Sequence, residues 1–123
     1  QIVQDVRARA PQARIIFVEY VRMLPEKGSC PQADPGPEAT RRAQAAGQAL
    51  SRLTREAARL EKVEVLPVDT FSKGRDACSA SPWITGYPRA GEAGFVPYHP
   101  NLEGMTAIAQ LLDLMLGGSK TRR

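Results

Sequence analysis

The sequence has little of what metal centres and disulfide-rich scaffolds require. It contains one histidine and two cysteines among 123 residues. Two cysteines are too few for a disulfide-dense fold, and one histidine cannot complete a four-ligand zinc site with them. We therefore expect no metal and no cofactor, and Cys30 and Cys78 are either paired with each other or both free.

Long hydrophobic runs and a strong charge imbalance are also missing. No apolar stretch approaches the roughly 20 residues that cross a bilayer, so we expect no stable membrane insertion. Seventeen Lys and Arg against thirteen Asp and Glu give a net charge of +4 without a long basic run. This charge permits nucleic-acid binding but does not favour it. Hydrophobic residues at 42% and charged residues at 24% are typical of a globular protein, and the length predicts one domain.

The hydrophobic pattern predicts a strand–helix–strand unit in the middle of the chain. Residues 13–20 form a β-branched and aromatic run, typical of a strand buried on both faces. Residues 38–62 repeat apolar side chains at spacings of three and four, which predicts a long helix packed closely on a sheet. That apolar stripe comprises Ala39, Ala43, Ala46, Leu50, Leu53, Ala57 and Leu60. Residues 63–69 form a second strand, in which Pro67 indicates an edge strand or an early end to pairing.

Helical segments flank this unit. Residues 1–10 have the pattern of a helix end, and Asn101 is a good N-cap for a last helix over 101–116. The face of that helix is formed by Met105, Ile108, Leu112 and Met115. Gly117 and Gly118 end the helix, and residues 117–123 are expected to form a flexible tail.

This order of elements predicts half of a larger α/β domain. A long helix between two strands is a crossover connection that makes the strands parallel. Two parallel strands do not form a stable open sheet alone, so we interpret the chain as the C-terminal half of a doubly wound α/β domain. The start at Gln1 and the lack of a visible signal peptide are consistent with a processed or excised segment.

Two long loops carry the candidate functional residues. Ligands of open α/β sheets bind beyond the carboxyl ends of the strands, where residues 20–37 and 69–100 both begin. The first loop contains Cys30, and the second contains Cys78 and the only histidine, His99. A disulfide would hold the loops together and contribute about 4 kcal/mol in the chain-entropy model. The alternative is two unrelated buried thiols, and a lone histidine is more often structural or merely exposed.

Three segments, taken in order, carry a resemblance to a known family. Residues 10–20, 76–84 and 98–105 resemble the C-terminal half of secreted SGNH (GDSL-type) hydrolases, as in actinobacterial lipases and esterases. The most specific piece is His-Pro-Asn-x-x-Gly, which begins at His99. The resemblance implies a flavodoxin-like, three-layer α/β/α domain with parallel strands. It also implies secretion, ester hydrolysis with His99 as general base, and a disulfide between Cys30 and Cys78.

A general-base histidine needs a group that orients its Nδ1–H. Many members of the family have an Asp three residues before the histidine, but that position is Val96 in this chain. Some secreted relatives use a backbone carbonyl instead. The expected orienting group is therefore the carbonyl of Val96, with the carbonyl of Pro97 as the alternative. The carboxylates of Asp69 and Asp76 are the remaining candidates.

The resemblance also exposes a missing nucleophile. The chain contains neither Gly-Asp-Ser nor Gly-x-Ser-x-Gly. The family's nucleophilic serine and oxyanion-hole residues belong to its N-terminal half. We therefore expect a chain that supplies the base, cleaves no ester alone, and partners an N-terminal half carrying those groups. An ester or lipid is the expected substrate, and a catalytically inactive binding module derived from this fold is the alternative.

Aromatic residues in the second loop are candidates for substrate binding. Trp83, Tyr87 and Tyr98 lie within sixteen residues of His99 and could line its pocket. The alternative for Trp83 is that it packs the loop against the body of the domain.

The arginines of the long helix are interpreted as a solvated face. They are Arg41, Arg42, Arg52, Arg55 and Arg59. Glu38–Arg42 and Arg52–Glu56 have the spacing of ion pairs on one helix face. A nucleic-acid-binding helix is the alternative, and we expect no nucleic-acid partner.

Overall fold

The computed structural model describes residues 1–33, 36–88, 91, 94 and 96–118. The elements in chain order are α1 (Ile2–Arg9), β1 (Ile16–Val18), a 3-10 turn (Pro31–Ala33), α2 (Pro37–Glu61), β2 (Glu64–Leu66), α3 (Val68–Phe71) and α4 (Leu102–Met115). The expected order of helix, strand, helix, strand and helix is confirmed, with one additional short helix after β2.

The two strands form a parallel pair with the long helix between them. Ile16 pairs with Glu64, Phe17 with Val65, and Val18 with Leu66. This confirms a partial α/β fold built on a parallel sheet. The carboxyl ends of both strands lie at one edge, where the two long loops leave the sheet.

Both strands are shorter than the sequence pattern predicts. The ladder continues only to the bond from the Glu19 N–H to the Leu66 carbonyl, at 3.1 Å. Pro67 then precedes α3, so the expectation that this proline ends pairing early is confirmed. Residues 68–69, assigned to the strand by the pattern, instead begin a helical turn, because Pro67 has no N–H to continue the ladder.

The expected burial of the first strand on both faces is wrong. Ile16 and Phe17 are half-buried, and Val18 is 45% exposed. The helices α2 and α4 both pack more extensively against β2 than against β1. The elements described here therefore cover the second strand better than the first.

The apolar stripe predicted for α2 does not face the sheet. The buried positions of the helix are Thr40, Ser51 and Ala58, whereas Leu53 is 53% and Leu60 66% exposed. Small residues let the helix approach the strands closely. Successive residues of a helix point about 100° apart. The leucines, which are offset by one or two positions from the buried residues, therefore lie on the side of the helix next to the sheet-facing side.

The ends of α4 follow the sequence prediction. The Asn101 side chain accepts a hydrogen bond from the Gly104 N–H at 2.9 Å, which caps the helix. At the other end, the N–H groups of Gly117 and Gly118 donate to Leu114 and Asp113 at 3.1 and 2.8 Å. This is the Schellman pattern, and Gly117 has the positive φ of 106° that it requires. Of the expected tail, residues 119–123 lie outside the described residues.

The inner face of α4 differs from the expected one at two positions, since it gains Leu111 and lacks Met105. The residues that pack on the core are Ile108, Leu111, Leu112 and Met115. Met105 was expected on this face but is exposed. The helix is rotated so that Gly104, which is buried, takes the contact at its first turn.

The core lies at the carboxyl-end edge of the sheet. Its buried residues are Val21, Leu66, Val68, Ala77 and Ile84. Three of them come from the two loops that follow the strands. The core therefore holds the loops that carry the candidate functional residues.

Candidate active site

A disulfide joins the two loops. Cys30 and Cys78 are bonded, with their Cα atoms 5.6 Å apart and 48 positions between them in sequence. The turn that follows Cys30 accepts two hydrogen bonds from the second loop. The Gln32 carbonyl accepts from the Tyr87 N–H at 2.7 Å, and the Ala33 carbonyl accepts from the Tyr98 Oη at 3.2 Å. The disulfide and these bonds hold the two loops against each other.

The segment that carries His99 pairs with an earlier part of its own loop. Ile84 and Pro100 form an antiparallel bridge. The Thr85 N–H donates to the His99 carbonyl at 2.9 Å, and the Tyr98 N–H donates to the Thr85 carbonyl at 3.2 Å. This pairing places His99 at the surface, directly before α4.

The imidazole of His99 is exposed and held by a backbone carbonyl. Its Nδ1 lies 3.0 Å from the Pro97 carbonyl oxygen. A carbonyl only accepts, so the neutral ring donates from Nδ1 and presents the lone pair of Nε2. The Val96 carbonyl accepts instead from the Thr85 Oγ1 at 2.7 Å. The structure thus places the carbonyl of Pro97 against the ring, where the sequence analysis favoured that of Val96.

The two carboxylates considered as partners of His99 are engaged elsewhere. Asp69 accepts from the Arg22 guanidinium at 3.1 and 2.8 Å. Asp76 is buried and accepts from the N–H of Cys78 at 2.9 Å, next to the disulfide. Both act in holding the loops.

Tyr20 contacts His99, a contact that the sequence analysis did not identify. The two rings meet edge to face, with centroids 6.4 Å apart and planes at 87°. The Tyr20 Oη donates to the Tyr98 carbonyl at 2.7 Å, and burial raises the pKa of the Tyr20 phenol. The hydroxyl is therefore a donor at neutral pH. Its position at the carboxyl end of the first predicted strand was the available signal.

The three candidate substrate-binding aromatics are placed differently. Trp83 is half-buried against the core, with the Arg75 guanidinium 5.9 Å from its ring centroid. Tyr98 also packs on the core, and its ring lies 6.4 Å from that of Tyr87, which is exposed. Trp83 therefore packs its loop on the body of the domain, the alternative considered above. Substrate contact by Trp83 or Tyr98 stays a prediction.

A charged cluster lies at the same sheet edge, and it corrects the interpretation of Arg55. Arg55 forms an ion pair with Glu19, whose side chain is fully buried, and also donates to the Thr70 Oγ1 at 3.0 Å. The backbone N–H of Asp69 also donates a hydrogen bond to the Glu19 Oε2 at 3.3 Å. Arg55 thus lies half-exposed over a buried carboxylate, whereas the expected pair of Glu38 and Arg42 does form on the solvated face.

Within the described residues, no three His, Cys, Asp or Glu side chains come together in a way that could hold a metal ion. Across the same part of the chain, no helix combines the length and apolarity needed to cross a bilayer.

Comparison with known proteins identifies relatives of this arrangement. The model of the GDSL-like lipase/acylhydrolase family matches residues 1–107. The crystal structure of phospholipase A1 from Streptomyces albidoflavus NA297 matches with a TM-score of 0.77 and 22% identity. That match covers 92% of this chain and 47% of the phospholipase, so the two share a fold over about half the length of the phospholipase. A comparison with curated proteins finds no match.

Proposed function

Because this chain belongs to the GDSL-like lipase/acylhydrolase family, we propose that it supplies the catalytic histidine of a serine ester hydrolase. The nucleophilic serine and the oxyanion-hole donors lie on an N-terminal half that completes the domain. The substrates are carboxylic esters, with lipids among them, and this chain alone is inactive. The lipid class is suggested by the phospholipase A1 named above.

The observation that carries the proposal is the contact between His99 and Pro97. With Nδ1–H directed at the Pro97 carbonyl, Nε2 is the basic atom of the ring. It takes the proton of the serine hydroxyl as the serine oxygen attacks the ester carbonyl. The imidazolium returns that proton to the leaving alkoxide as the ester C–O bond breaks. The Pro97 carbonyl dipole stabilises the imidazolium, a role that an Asp has in many triads.

The serines of this chain support the need for a second segment. No serine hydroxyl contacts His99 among the described residues, and Ser119 lies outside them. Ser72 is buried and donates to the Val68 carbonyl at 2.7 Å. The serines that the structure describes therefore offer His99 no nucleophile.

Exposed apolar side chains support the same proposal. Leu50, Leu53 and Leu60 lie exposed on α2, and Leu102, Met105 and Leu114 lie exposed on α4. Leu50, Leu53 and Leu60 recur at helical spacing along one side of α2, and an exposed apolar stripe of this kind marks an interaction site. The missing half of the α/β/α domain is the partner that we propose covers them.

The disulfide supports a secreted location. Bridges such as Cys30–Cys78 persist in oxidising compartments and are rare in reducing ones. We therefore place the complete enzyme outside the cell.

The test compares the chain alone with the chain co-expressed with a Gly-Asp-Ser-bearing N-terminal half of the domain. Hydrolysis of p-nitrophenyl esters and of phospholipid vesicles is measured for both. The chain alone is expected to be inactive, and the pair to be active. In the pair, His99→Gln is expected to lower kcat by about 10²–10⁴-fold, the contribution of a general base.

The matched control is Arg42→Gln on the solvated face of α2, which is expected to leave kcat unchanged. Hydrolysis by the chain alone would contradict the proposal. So would a His99→Gln pair that turns over as fast as the unmodified pair.

A further inference from the structure

We infer that Thr85 is a positioning residue for His99: its hydroxyl locks the turn that aims the Pro97 carbonyl at Nδ1. This inference deepens the proposed function and rests on it for its catalytic meaning. The contacts that carry it lie entirely within this chain, so they can be tested without the missing half.

The turn before His99 has an unusual backbone. Tyr98 has a φ of 56°, one of two positive values among the described non-glycine residues. A turn with proline at its second position and a positive φ at its third has the pattern of type II. Pro97 and Tyr98 occupy these positions in the turn from Val96 to His99. Relative to type I, this pattern reverses the peptide that links the second and third residues. The direction of the Pro97 carbonyl therefore depends on Tyr98 keeping its left-handed conformation.

Tyrosine has no intrinsic preference for that conformation, so the surrounding structure must hold it. In a closed β-turn, the first carbonyl accepts from the fourth N–H. In this turn the Thr85 hydroxyl bonds to both of these groups. It donates to the Val96 carbonyl at 2.7 Å and accepts from the His99 N–H at 3.2 Å.

The hydroxyl has one proton, and the distances indicate where it goes. The His99 carbonyl is also 3.1 Å from the Thr85 Oγ1, but it already accepts from the Thr85 N–H at 2.9 Å. The shorter contact to the Val96 carbonyl is the one that receives the proton. One side chain thus joins both ends of the turn, and the backbone of Thr85 pairs with Tyr98 and His99 of the same turn.

The same contact explains why Val96 is not the orienting carbonyl. Its oxygen is engaged by Thr85, which leaves Pro97 as the carbonyl that faces the ring. Thr85 acts on His99 through the backbone and does not touch the Nε2 atom that would accept the serine proton. It is therefore a positioning residue.

The experiment reads the tautomer of His99 by nitrogen-15 NMR on the 123-residue chain. The chain has a single histidine, so the signal needs no assignment. The unmodified chain is expected to show mainly the Nδ1–H tautomer. Thr85→Val removes the hydroxyl at nearly constant shape and is expected to lower the ratio of Nδ1–H to Nε2–H about fivefold, the effect of one neutral hydrogen bond. Thr85→Ser keeps the hydroxyl and is expected to restore the ratio.

The matched control is Thr54→Val, since Thr54 donates to the Leu50 carbonyl within α2 at 2.9 Å and lies away from the turn. An unchanged ratio in Thr85→Val, or a changed one in Thr85→Ser, would overturn the inference. If Thr85→Val does not fold, Thr85→Ala is read in its place. An unmodified chain with mainly the Nε2–H tautomer would overturn it at once. Because the NMR measurement of the tautomer ratio needs no turnover, its result does not depend on whether the proposed hydrolysis occurs.

Discussion

Glu19 carries a carboxylate into the interior at the carboxyl end of β1. Its side chain is 0% exposed, whereas that of its partner Arg55 is 49% exposed. The two members of this pair are therefore unequal. Without Arg55, the carboxylate stays buried without its counter-charge; without the charge of Glu19, the guanidinium still reaches water.

We expect Arg55→Met to destabilise the fold more than Glu19→Gln. Arg55→Met should lower the free energy of unfolding by about 2 kcal/mol, which is less than the roughly 3–5 kcal/mol of a fully buried pair because Arg55 is partly exposed. Glu19→Gln should lower it by about 1 kcal/mol, since the amide oxygen still accepts from the Asp69 N–H while the half-exposed Arg55 can turn away from the new amide NH2 into water. The measurement is the urea midpoint with the disulfide intact.

Arg42→Met is the control for this comparison. Arg42 pairs with Glu38 where both side chains are well exposed, so its loss should change stability by less than about 0.5 kcal/mol. Equal urea midpoints for Arg55→Met and Arg42→Met would contradict the account of the buried carboxylate.

At this scale the sequence singled out His99 as a candidate but did not decide its carbonyl partner. The resemblance was enough to select the histidine, because the motif around it is local, and its catalytic role stays a prediction. The choice between Val96 and Pro97 depends on the φ of Tyr98 and on a threonine eleven residues upstream of Val96, where the Thr85 Oγ1 binds the Val96 carbonyl. The direction of the Pro97 carbonyl depends on a side chain that is distant in sequence, so the residues next to His99 do not predict it.

Among the elements, α4 depends on a close approach at its first turn. A Cβ on Gly104 would lie 2.0 Å from the Trp83 carbonyl oxygen. The Asn101 N–H donates to that same carbonyl at 3.0 Å, two residues after His99. The contact therefore holds both the start of the helix and the end of the site loop.

Gly104→Ala is expected to lower the free energy of unfolding by about 1–3 kcal/mol, because backbone must move to admit the methyl group. The matched variant is Gly47→Ala in α2, where the added Cβ meets only the flexible end of Met23 at 3.4 Å. That change should raise stability by up to about 1 kcal/mol, since alanine favours a helix interior. Thermal unfolding measures both, and a Gly104→Ala chain as stable as Gly47→Ala would refute the close contact.

The long helix shows what periodicity can and cannot predict. The spacing of apolar residues predicts the existence and nearly the bounds of α2, because that information is local. It predicts the wrong face, because the sheet side of the helix uses Thr40, Ser51 and Ala58 for close approach. The exposed leucines are consistent with a second apolar surface on α2. The spacing of apolar residues alone does not distinguish that surface from the side that faces the sheet.

At the scale of the whole molecule, the disulfide holds the two long loops together at the carboxyl-end edge of the sheet. In the chain-entropy model, a bridge across 48 positions contributes about 4 kcal/mol. It also holds the turn that accepts hydrogen bonds from Tyr87 and Tyr98 on the loop of His99. The partial α/β fold and this pairing of loops were both predictable from the order of elements and the resemblance. The exposure of the first strand was not predictable, because burial depends on which elements pack on each face of the sheet.

The most direct test of the central claim is an intact-mass measurement after treatment with a fluorophosphonate serine probe. We predict that this 123-residue chain stays unlabelled and is two hydrogens lighter before reduction than after. A complementary polypeptide, where present, should carry the label, and His99→Gln should slow that labelling. A covalent adduct on this chain itself would contradict the account, because the nucleophile would then lie beside the histidine rather than in the other half.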